Sequence, residues 1–274
     1  MSRFFDVLKD SFKFFSAHPK IIIPKLFISL AYGAMIFISL GLGAQAVTAP
    51  TIALLFAAVL QLVFLFALTA VDIITSAMYP FLVADIAAKK NPSILLALKK
   101  VLSEPRKILL PAFVVEIAAI LFIVFMVTVV ILPMITDFTQ VSDTLDDVDF
   151  TISGILQPVA ALGVIVVAVL AIVFLFYSIY PVAAYEKGKV MDSLKRSVAI
   201  SMKNKSEVAK ATILSLCLSI LTVIIAFVIE FYPQQEGTAL FWAAFLIVRF
   251  LTAYVYTYMY VLSPVFYLNY AGKK

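Results

Sequence analysis

Apolar residues fill six long stretches of the chain, and nearly all charge is confined to the short segments between them. A helix needs about 20 apolar residues to cross the hydrocarbon core of a bilayer. No charged residue lies between Lys25 and Asp72, a stretch too long for one such helix. Its middle, from Gly41-Leu42-Gly43-Ala44-Gln45 to Ala49-Pro50, carries turn chemistry. The pattern predicts spans over 21–43, 52–86, 108–134, 153–186, 209–231 and 238–268. The expected fold class is all-α integral membrane, with six transmembrane helices arranged as three hairpins.

The segment before each hairpin has a different period. Phe5, Leu8, Phe12 and Phe15 recur at three- and four-residue spacing, with Asp6, Lys9, Asp10 and Lys13 elsewhere around the helix. Ile94, Leu98, Val101 and Leu102 do likewise, and Asn91-Pro92 offers a cap and first-turn pair for that helix. Short basic amphipathic helices beside spans lie in the interface with lysines near anionic head groups, as anchors first of all.

These segments open a weak threefold repeat inside one membrane domain, 1–274: repeats over 1–90, 91–189 and 190–274. Each starts with a small residue, a large apolar residue and Lys: Ser11-Phe12-Lys13, Ala97-Leu98-Lys99 and Ser193-Leu194-Lys195. Pro19-Lys20 and Pro105-Arg106 follow at the same distance in the first two, and Met202-Lys203-Asn204-Lys205 stands there in the third. Each closes on a proline, in Tyr79-Pro80-Phe81, Tyr180-Pro181-Val182 and Ser263-Pro264-Val265. Five residues later come Asp85, Glu186 and Asn269. Two spans per repeat make the repeats parallel, about an axis along the membrane normal.

Charge then orients the chain. Lys and Arg occur over 3–25, over 89–107, over 187–210 and at 273 and 274, and these all lie on one side of six spans. The opposite loops carry Asp137, Asp143, Asp146, Asp147, Asp149 and Glu236 instead. Basic loops stay in the cytoplasm, so both termini are expected inside, in the cell membrane. The sequon Asn204-Lys205-Ser206 then faces the cytoplasm and is a chance match. Ala44-Gln45-Ala46 resembles a signal cleavage site, but an amphipathic stretch precedes that run and the run is long enough to span.

Composition agrees: 64% of residues are hydrophobic and 14% charged, where soluble domains run at about a quarter charged. The net charge of +5 does not point to nucleic acid, because no basic stripe accompanies a recognition fold. One cysteine, Cys217, excludes a disulfide framework within the chain, and His18 beside Pro19 reads as an interfacial side chain. No cofactor and no metal site is expected. The acidic run 142–149 has oxygen ligands for Ca²⁺ but lacks the glycine and terminal Glu of a calcium loop, and a solvated outer loop explains it.

Charged groups inside spans are the usual pointer to function, each costing about 2.5–3.5 kcal/mol at a helix centre. Asp72, Glu116 and Arg249 are the candidate site, lining a polar cleft between repeats, with Glu230 near an outer end and Gln61 as a neutral group. Arg249 is expected to face the interior and meet Asp72 or Glu230. Aligning Pro80 with Pro264 puts it about 10 Å further out than Asp72. The last span is rich in tyrosine; Tyr254 and Tyr258, four apart, offer a cavity wall with Thr257, but packing is the preferred reading.

From Tyr180 to Ser197 the chain resembles a broad prokaryotic group of six-span proteins, similar to the membrane domain attached to some glycerophosphodiester phosphodiesterases. Pro181, Glu186, Gly188 and Ser193-Leu194-Lys195-Arg196-Ser197 carry the resemblance, with a polar turn near Asn204; Val198 stands where an aromatic is common. The resemblance implies a membrane module near lipid or envelope metabolism. The soluble hydrolase domain is absent from the chain, so phosphodiesterase activity is not expected to carry over. The expected function is a non-enzymatic module that binds or moves a lipid or small solute. Its partners would be membrane lipids, with protein partners at the basic cytoplasmic face under an alternative scaffold role. An intramembrane lipid enzyme ranks last, since acids, bases and metal ligands are not clustered.

Overall fold

A computed structural model describes residues 3–46, 51–126, 128, 152–230 and 239–271, and among these every regular element is helical. The helices are α1 (Arg3–Ala17), α2 (Ile23–Ala46), α3 (Thr51–Ala87), α4 (Ile94–Ser103), α5 (Pro105–Met126) and α6 (Ile152–Leu175). They continue with α7 (Ile179–Tyr185), α8 (Val190–Lys203), α9 (Lys205–Glu230) and α10 (Ala239–Phe266). A 3-10 turn, Pro19–Ile22, joins α1 to α2, and a π-helical turn, Tyr267–Ala271, follows α10.

Among the described residues five helices are long and apolar enough to cross a membrane, and six if α1 and the start of α2, bent by 99°, count as one broken span. The apolar side chains of these helices face outward in numbers that only lipid tolerates. Phe56, Val59, Leu62, Val63 and Phe64 on α3 are each about half exposed or more. Three shorter helices, α1, α4 and α8, stand where the amphipathic segments were expected. The cap of α4 differs from expectation. Ser93, rather than Asn91, accepts from the Leu96 N–H at 3.4 Å, because α4 starts at Ile94 and leaves Pro92 outside it.

The expected span 153–186 is also not one helix. It breaks at Phe176–Ser178 into α6 and α7. Pro181 has no N–H and its ring crowds the carbonyl four residues back, that of Tyr177. The freed carbonyl accepts a hydrogen bond from the Ser263 hydroxyl at 2.6 Å. Pro80 and Pro264, by contrast, sit inside continuous helices.

Among the described residues burial is concentrated at one end. At about 1.5 Å per residue, the 37 residues of α3 reach roughly 55 Å, well beyond a hydrocarbon core of about 30 Å. Lys25, in the first turn of α2, meets Asp72, so α2 begins level with Asp72 and the rest of α3 continues past it. That continuation, with the ends of α7 and α10, forms the largest buried cluster, including Met78, Tyr79, Leu82, Val83, Val182, Leu262 and Val265. The shorter helices wrap it: α3 packs on α4, α7 on α8 and α10 on α1. The long helices alternate similarly, with α3 against α5, α6 against α9 and α10 against α2, while α3, α7 and α10 meet one another in the middle. Ser11, Ala97 and Ser193, the small residue of each opening motif, are all buried, as are Phe15, Val101 and Ser197 one turn on.

Candidate functional site

The polar centre is built where α2, α3 and α10 meet. Lys25 Nζ lies 2.5 Å from Asp72 Oδ1 and 2.7 Å from Ser76 Oγ, and 3.7 Å from the centre of the Tyr260 ring. An ammonium has three donors and no acceptor; here two go to oxygens and the charge also faces an aromatic ring. Asp72 and Ser76 are four apart on α3 and so share a face. The Ser76 hydroxyl donates back to the Asp72 carbonyl at 2.7 Å, which fixes its lone pairs toward Lys25. One turn further, the Tyr79 hydroxyl donates to the Ile21 carbonyl at 3.1 Å and lies 3.2 Å from Thr257 Oγ1. That bond ties the start of α2 to α3 at the bend.

Tyr260 passes the contact on to the other side of the bundle. Its ring stacks on Tyr79 at 5.9 Å and meets Tyr180 edge-on at 6.0 Å. The Tyr180 hydroxyl donates to Glu116 Oε1 at 2.5 Å, joining α7 to α5. Two cavities flank this row. One, of about 370 Å³, is lined by Lys25, Ser29, Tyr32, Asp72 and Arg249. The other, of about 290 Å³, is lined by Ser76, Glu116, Tyr177, Tyr180, Ser215 and Ser263. Tyr256 and Tyr260 line both and form the wall between them.

Arg249 is 5% exposed. Its guanidinium lies 5.2 Å from the Phe245 ring centre, and its carbonyl accepts from the Ser29 hydroxyl at 2.9 Å. Gly33 makes room for it: a Cβ there would fall 2.7 Å from the Phe245 ring and 2.8 Å from Arg249 Cδ. Arg249 therefore faces the interior and shares a cavity with Asp72, as expected, but the ion pair of Asp72 is with Lys25. The chain turns between α1 and α2, which carries Lys25 from the basic flank into the bundle at the level of Asp72. Glu116 lines the neighbouring cavity. The side chain of Glu230 lies outside the described residues, as do Glu236, the acidic run 137–149, and Lys273 and Lys274.

The three polar residues after the prolines act at the packed end. Glu186 Oε1 accepts from Arg196 Nε at 3.0 Å and from the Tyr267 hydroxyl at 2.6 Å. Asn269 Nδ2 donates to Asp10 Oδ2 at 3.0 Å. Asp85 takes part through its carbonyl, which accepts from the Lys90 N–H at 2.8 Å around the left-handed Lys89. The tyrosine stripe divides as packing requires: Tyr254 meets Phe15 edge-on at 4.5 Å, and the Tyr258 hydroxyl donates to the Leu8 carbonyl at 3.3 Å. The other stripe, Tyr256 and Tyr260, faces the cavities. Lys25, Tyr180, Tyr256 and Tyr260 are thus the site residues that sequence reasoning passed over.

Chemically the two cavities differ. The first carries two cations and one carboxylate; the second carries one carboxylate among hydroxyls and aromatic rings. Among the described residues no three of His, Cys, Asp and Glu gather as a metal site would require. Comparison of the chain with protein-family models, with curated proteins and with solved structures returned no match.

Proposed function

We propose that the chain is a multi-pass protein of the cell membrane, both termini cytoplasmic, that binds or moves a lipid or small solute without transforming it. The observation carrying this reading is the cavity of about 370 Å³ among apolar helices that reaches Lys25, Asp72 and Arg249. Buried charges are costly beside lipid and are retained where they line a pathway or a ligand site.

The reading includes a threefold parallel repeat of amphipathic helix plus hairpin. Its support is the cyclic packing: the closing helix of each repeat (α3, α7, α10) lies on the amphipathic helix of the next (α4, α8, α1), and the last returns to the first. The burial of Ser11, Ala97 and Ser193 at matching positions supports the same register. It also accommodates the resemblance to six-span membrane domains of glycerophosphodiester phosphodiesterases, since Glu186 and Arg196 of that motif bond to each other.

A second reading, a scaffold recruiting proteins through its basic cytoplasmic face, is favoured by one observation. The Lys25–Asp72 pair is closed on itself at 2.5 Å, as a charge serving assembly would be. Native mass spectrometry of protein released gently from its own membrane separates the two. A defined lipid or small-molecule adduct, lost on Arg249→Leu or Asp72→Asn, is expected. Bare protein, or protein carrying only partner subunits, turns the assignment to the scaffold.

A further inference from the structure

On the N-terminal side of their prolines, the three closing segments are packed unequally. Before Pro80, α3 buries Thr69 and Ile73; before Pro264, α10 buries Val248, Arg249, Ala253 and Thr257. Before Pro181, no side chain over 163–175 of α6 is buried. Past the break the picture reverses, since Ile179, Val182 and Ala183 of α7 are all buried. α7 is thus fixed in the bundle, while α6 lies against it without a buried side chain to hold it.

Behind α6 lies the second cavity. Ile172, Val173 and Phe176 line it, and Ala112 and Ala119, about two turns apart on α5, leave room across from them. Val173 is 42% exposed, so the cavity opens at the face that lipid covers. Glu116, which takes the Tyr180 hydroxyl, is the one charged group in a lining of apolar, hydroxyl-bearing and aromatic side chains. The break at Phe176–Ser178 is itself thinly bonded. The Tyr177 N–H reaches the Phe174 carbonyl at 3.4 Å, and the Tyr177 carbonyl is held by Ser263 at 2.6 Å. Ser178, the N-cap residue of α7, is fully buried, yet its hydroxyl does not cap that helix and has no hydrogen-bond partner among the described residues. A serine in this position ordinarily bonds to an N–H of the first turn, so a rotation of the break gives the hydroxyl a partner it lacks here. A few residues at an element's end, beside a proline, are what absorb the backbone change of a hinge.

We infer that the second cavity takes one hydrocarbon chain of a membrane lipid, admitted sideways when α6 swings outward about Phe176–Ser178. This rests on the ligand-handling reading and assigns lipid, through its chain, to one of the two cavities. Ser263 is the latch, because its bond to the Tyr177 carbonyl ties the break to α10.

The test uses the full chain in lipid nanodiscs, with Cys217→Ser as background. Spin labels at Val167→Cys on α6 and Ile247→Cys on α10 report the hinge, and labels at Leu62→Cys on α3 and Ile247→Cys are the control; all three sites are exposed. A second, longer distance is expected for the α6 pair alone, and Ser263→Ala should raise its share about threefold, as loss of one hydrogen bond implies. A phospholipid carrying a diazirine at its chain end reports the occupant. On illumination it should mark Met259, on the α10 side of the cavity. Ala119→Phe, which fills the cavity, lowers that labelling about tenfold, and Ser263→Ala raises it. Should Ala119→Phe fail to fold, Ser263→Ala carries the test. A single distance for the α6 pair that Ser263→Ala leaves unchanged overturns the inference, as does labelling confined to outward residues such as Val167 and Leu121. If Met259 stays unlabelled while a co-purified adduct is still lost on Arg249→Leu, the inference falls and the ligand-handling reading stands. With neither labelling nor adduct, both fall.

Discussion

Two of the ion pairs among the described residues have similar chemistry in opposite surroundings. Lys25–Asp72 lies in the bundle, with side chains 3% and 22% exposed, and Lys25 also bonds to Ser76. Arg196–Glu186 sits at the packed end, 37% and 29% exposed, and shares the Tyr267 hydroxyl. Water can replace either partner of the second pair, whereas Lys25, at 3% exposure, has little access to water. The two pairs should therefore respond very differently to the loss of one member, although both are direct contacts.

The largest effect is expected from Asp72→Ala, which strands a buried ammonium. Losing one partner of a buried pair costs about 3–5 kcal/mol, while exchanging both for apolar residues is often neutral. Thermal unfolding in detergent should show a large loss for Asp72→Ala and recovery in the double variant Lys25→Met/Asp72→Leu. A loss under about 1 kcal/mol in the single variant would place the two pairs in one class. Next comes Gly33→Ala. The added Cβ overlaps Phe245 and Arg249, and overpacking of this kind costs about 1–3 kcal/mol. The same variant should narrow the Arg249 cavity and weaken any adduct found there.

Tyr79→Phe is expected to cost about 1–1.5 kcal/mol, because it unties the Ile21 carbonyl at the bend. Its signature is faster amide exchange at the start of α2 with α8 unchanged. The smallest effect belongs to Arg196→Ala, under about 1 kcal/mol and fading as salt rises, read from unfolding at low and high ionic strength. A salt-independent loss larger than that of Asp72→Ala would reverse the comparison.

The long helices were readable because lipid leaves the chain few choices: backbone groups must bond within the segment, so spans appear as long apolar runs. The starts and ends of α3 and α10 fall within a residue or two of those expected from hydropathy. Contacts that depend on the relative phase and height of two helices were not readable. Lys25 looked like one more basic flanking residue beside Lys20, and its partner is 47 residues away on the next helix. Tyr254/Tyr258 and Tyr256/Tyr260 are both pairs four apart, and only the neighbours of α10 decide which pair packs and which faces a cavity. Proline was equally ambiguous. Pro181 accompanies a break because Ser263 offers a bond to the carbonyl of Tyr177, a fact held 86 residues away, while Pro80 and Pro264 leave their helices continuous. Arg249 was placed in the interior for the right reason, the cost of charge beside lipid; of its two expected partners, Asp72 pairs with Lys25 and the side chain of Glu230 lies outside the described residues.

The clasp between Asp10 and Asn269 joins residues 259 positions apart, on the first and last described elements. A ribosome working at about 5–20 residues per second needs roughly 10–50 s to travel between them. Throughout that interval α1 exists without the helix on which Phe15 and Leu8 finally rest. Its apolar side has only the membrane surface to lie on, which turns the amphipathic pattern into a waiting posture during biogenesis. Docking of α1 then reports that α10 has arrived, so a protease cleaving in α1 would distinguish finished molecules from unfinished ones.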